Sequence, residues 1–153
     1  MRVYVALVRP EEGGTYLYVP IKRAGYPFAG MPQFFGGGVE EGETRKQALT
    51  REVTEESRGE YVYDRGNPLV RVHHGQVGGH DLLFFWTYNF MGHHTGDLDS
   101  GEMQSIRRVF LPEQDPAYSM QEFLESLGIG PSIAFLESET YIAFTKLIAT
   151  FTA

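Results

Sequence analysis

The sequence predicts an α/β (α+β) fold in which helices pack on a mixed β-sheet. Short runs rich in β-branched and aromatic residues alternate with turns in the first third of the chain. One strongly patterned helix then interrupts the strands, and two further helices follow the last strand. An order of strands, helix, strands and helices is typical of a mixed α/β domain.

The first two strands are predicted to form a hairpin. Residues 3–9 and 15–23 are rich in valine, leucine and tyrosine, and a Glu-Glu-Gly-Gly turn at 11–14 separates them. Residues 24–33 contain two glycines and two prolines, so they are predicted to be a loop. A run of three glycines, 36–38, follows shortly after it.

The clearest helix is predicted over residues 44–58. Thr44 can cap its first turn, and Gln47 three residues later completes a capping box. Ala48, Leu49 and Val53 give one apolar stripe at helical spacing. Gly59 is predicted to be the left-handed residue that ends the helix.

The remaining strands and helices are predicted from apolar runs bounded by turn residues. Four strands are predicted, at 61–63, 69–73, 82–90 and 106–111, followed by helices at 117–127 and 139–151. The strand at 82–90 is almost wholly apolar or aromatic, which predicts an interior position in the sheet. Residues 92–101 are predicted to be a polar loop.

Length and composition exclude several classes of protein. The 153 residues suit a single domain over 1–153, and the absence of cysteine excludes disulfides, thiolate metal sites and cysteine nucleophiles. A net charge of −7 argues against an extended nucleic-acid surface. No apolar run is long enough for a membrane span and no signal peptide is recognised, so we expect a cytoplasmic protein without membrane partners.

Three carboxylates lie on one face of the predicted helix. Glu52, Glu55 and Glu56 stand at positions i, i+3 and i+4. Like charges at this spacing destabilise an isolated helix by about 0.2–0.5 kcal/mol per pair. A divalent cation reverses that effect, because carboxylate oxygens are ligands that Mg²⁺ and Mn²⁺ prefer. The alternative from the triplet alone is an acidic helix face in contact with water.

The spacing of the whole segment resembles the signature of the Nudix hydrolases. Seven defined positions match: Gly37, Glu43, Arg51, Glu52, Val53, Glu55 and Glu56. Two positions depart from the family pattern. The final glycine falls one residue late, at Gly59, which predicts a helix extended by one residue or an altered helix exit. Phe35 stands where the family often has proline.

The resemblance implies a Nudix fold, a mixed β-sheet sandwiched between α-helices. It also implies hydrolysis of a pyrophosphate bond in a nucleoside diphosphate derivative or nucleoside triphosphate, by water attack at phosphorus, with Mg²⁺ as cofactor and Mn²⁺ as a substitute. Carried over by position, the implied metal ligands are Glu52, Glu55, Glu56 and the Gly37 carbonyl. Glu52 or Glu56 is the implied base, and Glu43 and Arg51 orient the carboxylates.

Further site residues are predicted outside the signature. Some relatives use an additional acid on a later loop, for which Glu102 is the first candidate, ahead of Asp97 and Asp99; the alternative is an acid in contact with solvent. Arg23 is a candidate phosphate contact and Phe35 a candidate base-stacking group, although a strand-end charge and core packing are the alternatives.

The paired histidines are predicted to be surface or loop residues. His73–His74 lies in a predicted strand, where adjacent side chains point to opposite faces, and His93–His94 lies in a predicted loop. Neither pair is therefore expected to chelate a metal, and a zinc site is not predicted.

Two functions remain open. The first is a pyrophosphohydrolase acting on a small nucleotide substrate, and the second is a Nudix-fold nucleotide-binding or regulatory module without turnover. The complete set of signature carboxylates favours the enzyme. Nudix proteins are often homodimers, and no feature of this sequence decides whether the chain pairs.

Overall fold

A mixed β-sheet forms the centre of the protein. The computed structural model describes residues 1–64 and 68–153. Within them, seven strands form the main sheet: β1 (Arg2–Glu11), β2 (Gly14–Lys22), β3 (Phe35–Gly38), β5 (Val70–Val77), β6 (His80–Thr87), β8 (Gly96–Asp97) and β9 (Met103–Pro112). Two further strands, β4 (Val62–Tyr63) and β7 (Phe90–Met91), pair separately. The helices are α1 (Arg45–Glu56), α2 (Met120–Leu127), α3 (Ile133–Leu136) and α4 (Glu139–Thr152).

Strand β1 lies at the centre of the sheet. The strand order is β5-β6-β1-β2-β9-β8, and β3 also pairs with β1. The second half of β1 forms the predicted hairpin with β2, whereas its first half lies antiparallel to β3 and parallel to β6. The glycine run is therefore held directly beside the start of β1, where Val3 pairs with Gly37.

Alternate residues of β1 enter two separate cores. Val5 packs on the face covered by α1, whose buried side chains include Leu49. Val8 packs on the opposite face, where α2 and α4 contribute Phe123 and Phe144. Helices thus cover both faces of the sheet, which confirms the predicted mixed α/β architecture.

Helix α1 begins as its sequence predicts. The Thr44 hydroxyl accepts the Gln47 backbone N–H at 3.1 Å, and the Thr44 N–H donates to the Gln47 side chain at 2.8 Å. This reciprocal capping box satisfies two amides that the helix itself leaves unpaired.

The exit of α1 is altered, which is one of the two outcomes that the late glycine predicts. The helix is not extended: it ends at Glu56, and two hydrogen bonds close a Schellman turn, from Gly59 N–H to Thr54 O at 2.9 Å and from Arg58 N–H to Glu55 O at 3.2 Å. Arg58 occupies the left-handed position of this turn, with φ 57°. Gly59 has φ 80°, so the predicted glycine is left-handed but comes one residue after the first reversal.

Other element boundaries shift where turns decide them. Strand β5 runs on to Val77, because Gly78 and Gly79 reverse the chain into β6. Helix α2 begins only at Met120, behind a Ser119 cap. Strand β6 lies between β5 and β1, the interior position that its apolar sequence predicts. None of the described helices is both long and apolar enough to cross a membrane.

Candidate active site

A cleft of about 720 Å³ opens at the start of β1. Its walls come from the end of β2, the loop at 24–33, the β5–β6 hairpin, the segment before β9 and the start of α4. The polar side chains lining it include Arg2, Tyr4, Lys22, Gln33, Glu56, Gln76, Glu102 and Glu139. The C-terminal end of α1 therefore contributes one carboxylate, Glu56, directly to the cleft.

Glu56 is a buried carboxylate. Its residue is 9% exposed, and Oε1 accepts the Gly36 backbone N–H at 2.7 Å. Within the described residues it forms no ion pair. Burial raises the pKa of Glu56 well above its usual range, and the nearby charges of Glu52 and Glu102 act in the same direction.

Glycine is required where β3 approaches the rest of the site. A Cβ at Gly36 would lie 2.0 Å from the Val3 carbonyl oxygen, and a Cβ at Gly37 would lie 2.6 Å from Glu52 Oε1. The Glu52 carboxylate therefore lies directly over the Gly37 Cα. Burial raises the pKa of Glu52, while the hydrogen bond from Arg51 opposes that shift.

Arg51 connects the carboxylates of the signature. Its guanidinium donates to Glu43 through Nε at 2.8 Å and Nη2 at 3.0 Å, and Nη1 lies 3.0 Å from Glu52 Oε1 and 3.5 Å from Glu55 Oε2. Nη2 also donates to the Gly38 carbonyl at 3.0 Å. Arg51, followed by the Glu40 N–H, lowers the pKa of Glu43 to about 2. Glu43 is therefore an ionised support at neutral pH.

Glu102 lies at the cleft together with Lys22. The two side chains form an ion pair in which Lys22 is buried and Glu102 is partly exposed. Of the other loop acids, Asp97 is exposed and Asp99 lies 3.8 Å from Arg58, away from the cleft lining. Glu102, and neither aspartate, therefore lines the same cleft as Glu56.

The carboxylate oxygens of this site suit a hard divalent cation, but they do not converge on one point. Among residues 1–64 and 68–153, no three acidic or histidine side chains stand close enough together to hold a metal ion. Arg51 forms ion pairs with Glu52 and Glu55, and Lys22 forms one with Glu102. Glu56 is a buried carboxylate that forms no ion pair among the described residues, and the acidic side chains of the signature offer oxygen ligands, which Mg²⁺ and Mn²⁺ prefer.

Comparison with known proteins decides the family. A family profile described as NUDIX domain matches residues 1–127, most of the chain. The chain belongs to the Nudix family. A search of curated protein sequences found no match.

Solved structures of Nudix proteins share the fold. An ADP compounds hydrolase is 18% identical, with 95% of this chain and 70% of that chain covered and a TM-score of 0.56. The MutT NUDIX hydrolase of Burkholderia pseudomallei is 17% identical, with 95% and 97% covered and a TM-score of 0.52. A MutT/nudix family protein of Enterococcus faecalis is 16% identical over 72% of this chain, with a TM-score of 0.52, and this chain spans 43% of its length.

Two predicted substrate contacts of this Nudix protein lie elsewhere. Arg23 donates to the carbonyls of Leu98, Gly101 and Met103 at 2.9, 2.8 and 3.2 Å, so its guanidinium holds the loop before β9. Lys22, its neighbour in sequence, points into the cleft instead. The register of β2 against β9 shifts between Ile21 and Lys22, so the strand pattern in the sequence does not indicate which of these adjacent cations faces the site.

Phe35 is also misplaced by the sequence prediction. It is fully buried in the core beneath α1, with its ring centroid 6.2 Å from that of Tyr61, so it cannot stack on a substrate. The aromatic residues that line the cleft of this Nudix protein are Tyr4, Phe28 and Phe34, on the other face of the sheet.

His73 is the polar residue that sequence reasoning missed. It is 9% exposed rather than a surface residue, and its two ring nitrogens contact Glu139 at 2.7 Å and Lys146 at 2.8 Å. Its neighbour His74 is exposed and contacts Asp81 at 2.9 Å, as strand alternation predicts. Both His73 partners lie on α4, far along the chain, and no local pattern indicates them.

Proposed function

We propose that this Nudix protein is a Mg²⁺-dependent pyrophosphohydrolase. Its substrate is a nucleoside diphosphate derivative or a nucleoside triphosphate that lies in the cleft beside Glu56. The observation that carries the proposal is the buried Glu56 carboxylate, which lines the cleft and forms no ion pair among the described residues. A buried carboxylate is costly unless a positive charge compensates it.

The residues fit the chemistry of water attack at phosphorus. Glu52, Glu55 and Glu56, with Glu102 and the Gly37 carbonyl, would hold the cation. A divalent cation bound there neutralises charge on the phosphoryl oxygens and lowers the pKa of a water. The attacking water forms a bond to one phosphorus, the bridging P–O bond breaks, and Glu56 or Glu52 takes the water proton.

Other side chains would position the carboxylates and the substrate. Arg51, fixed by Glu43, orients Glu52 and Glu55 through one Nη atom. Lys22 is buried at the cleft, so its ammonium group can contact a phosphate oxygen once Glu102 turns toward the cation. Lys22 therefore takes the phosphate-contacting role predicted for Arg23 from the sequence.

The experiment is phosphate release, measured with a coupled phosphatase across a panel of nucleotides with and without Mg²⁺. We expect wild-type turnover that EDTA abolishes, and loss of that turnover in Glu55→Gln with the fold retained. The matched control is Glu41→Gln, which removes an exposed carboxylate at a position that the signature leaves undefined. Full activity of Glu55→Gln would contradict the assignment.

The alternative function is a nucleotide-binding module without turnover. Tight binding of one nucleotide with no phosphate release from any member of the panel would favour it. The complete set of signature carboxylates in this chain favours the enzyme.

A further inference from the structure

The start of α4 places a carboxylate in the same cleft as Glu56. Glu139 is the first residue of α4 and lines the cleft beside the β5–β6 hairpin. Its side chain is 25% exposed. Glu139 lies outside the Nudix signature, and the proposed hydrolytic chemistry gives it no role.

Two residues of β5 and one of α4 fix the position of this carboxylate. His73 Nε2 lies 2.7 Å from Glu139 Oε2, and Lys146 Nζ lies 2.8 Å from His73 Nδ1. A Cβ at Gly75 would lie 2.6 Å from Glu139 Cδ, so only glycine leaves room for the carboxylate against β5. The Glu139 carboxylate is therefore held from one side by hydrogen bonding and from another by packing.

The direction of these hydrogen bonds follows from the donors. A lysine ammonium group can only donate, so His73 Nδ1 accepts from Lys146. The ring then carries its proton on Nε2 and donates it to Glu139 Oε2. A ring protonated on both nitrogens would set an N–H against the ammonium group. Lys146 thus selects the histidine tautomer that donates to the Glu139 carboxylate.

The second carboxylate oxygen is left for a ligand. No described group of the protein donates to Glu139 Oε1. An ionised carboxylate accepts hydrogen bonds and donates none, so it selects an N–H or O–H group of a ligand. Tyr4, Phe34 and Leu82, which also line the cleft, provide apolar surface for a planar or sugar group.

We propose that Glu139 is a substrate-specificity residue that accepts a hydrogen bond from the nucleoside part of the substrate. The donor is either an amino or imino N–H of the base or a ribose hydroxyl. This inference rests on one part of the proposed function, namely that a nucleotide binds in the cleft. His73 and Lys146 are positioning residues that act through Glu139.

The test is equilibrium binding by calorimetry in Mg²⁺, with methylene-bridged nucleotides that cannot be cleaved. Adenosine and guanosine α,β-methylene diphosphates are compared with methylenediphosphonate, which has no nucleoside. For the tighter nucleotide, analogues lacking the base amino group or both the 2′- and 3′-hydroxyls then locate the donor. Because binding is measured without turnover, the inference can hold even if the proposed hydrolysis fails.

Glu139→Gln is expected to lower the affinity for the more tightly bound nucleotide by about 10- to 100-fold, as for loss of a hydrogen bond to a charged acceptor. Methylenediphosphonate binding should change by less than about 2-fold, since the variant leaves the phosphate end intact. The effect of the variant should vanish with the analogue that lacks the donor. The control is Glu137→Gln, which removes an exposed carboxylate of the same cleft that does not contact His73.

Three results with the variants would overturn the inference, and one with the wild-type protein. They are unchanged nucleotide affinity in Glu139→Gln, an equal loss of methylenediphosphonate binding, and an equal effect of Glu137→Gln. Failure of the wild-type protein to bind any of the nucleotides would also overturn it. If Glu139→Gln does not fold, Glu139→Asp keeps the charge but withdraws the carboxylate, and the same selective loss is expected.

Discussion

The Arg51 guanidinium donates two hydrogen bonds to the Glu43 carboxylate, from Nε to Oε2 at 2.8 Å and from Nη2 to Oε1 at 3.0 Å. Two parallel bonds fix the plane of the guanidinium as well as its position. With that plane fixed, Nη1 points at Glu52 and Glu55. A residue that lines no part of the cleft thereby controls two of the carboxylates proposed to hold the cation.

Arg51→Lys is expected to lower kcat by about 10- to 100-fold, since lysine keeps the charge but cannot make both parallel bonds. The thermal midpoint should change little by comparison. The control is Arg45→Lys, an exposed arginine at the start of α1. Wild-type kcat in Arg51→Lys would show that the forked contact has no role in positioning the carboxylates.

Gly37→Ala and Gly38→Ala form a second matched pair. A Cβ at Gly37 would lie 2.6 Å from Glu52 Oε1, whereas a Cβ at Gly38 would meet nothing within 4 Å. Gly37→Ala should therefore displace the Glu52 carboxylate and weaken the stabilisation that Mg²⁺ gives to the folded protein. The readout is the Mg²⁺-induced shift in Tm, which Gly38→Ala should retain. Equal shifts in the two variants would contradict the placement of Glu52 over Gly37.

Glu56→Gln is expected to stabilise the metal-free protein at neutral pH. Because the folded-state pKa of Glu56 is raised, the folded protein binds the proton more tightly than the unfolded chain does. Wild-type stability should therefore fall as pH rises above the ordinary glutamate value of 4.5 and toward the raised pKa. Glutamine is neutral and keeps an acceptor for the Gly36 N–H, so it avoids this loss.

Chemical denaturation in EDTA between about pH 4 and pH 8 measures this difference. The advantage of Glu56→Gln should be largest at the alkaline end and shrink toward the acid end. Glu55→Gln provides the comparison, because it removes a carboxylate of the same helix whose side chain is 61% exposed. If the stability difference between Glu56→Gln and the wild type instead grew as the pH fell, the result would contradict a raised pKa for Glu56.

Arg58→Gly is expected to raise the free energy of unfolding by about 0.5–1 kcal/mol. The left-handed conformation costs a non-glycine residue about 1–2 kcal/mol, and the greater entropy of glycine in the unfolded chain offsets part of the gain. Arg58→Ala keeps the strain but removes the contact with Asp99, so it should leave stability nearly unchanged. Denaturant titration distinguishes the two, and a destabilised Arg58→Gly would mean that the arginine side chain itself supports the turn.

Local sequence was sufficient for the elements that local interactions form. The capping box at Thr44, the β1–β2 hairpin and the apolar stripe of α1 depend on residues a few positions apart, and the structure has each of them. The exit of α1 was harder to predict, because the sequence offers Arg58 and Gly59 and the fold places both in positive φ. The preference of glycine for that conformation pointed to Gly59 alone.

Side-chain directions were predicted less well than elements. Whether Lys22 or Arg23 faces the cleft is decided at the end of β2, where the pairing with β9 shifts register between Ile21 and Lys22. Phe35 enters the α1 core because of the register of β3 against β1. Pairing register and packing between distant segments decide these matters, and a one-residue shift would reverse them.

The sequence by itself determined the family, the mixed α/β class and the spacing of Glu52, Glu55 and Glu56, because a helix converts sequence spacing directly into one face. Only the tertiary structure decided which groups meet across the cleft. Glu56 reaches Gly36 of β3, Glu102 reaches Lys22 of β2, and His73 of β5 meets Glu139 and Lys146 of α4. Those contacts join residues far apart in the chain, and they exist because β1 gathers its neighbouring strands into one sheet on which α1 and α4 pack from opposite faces.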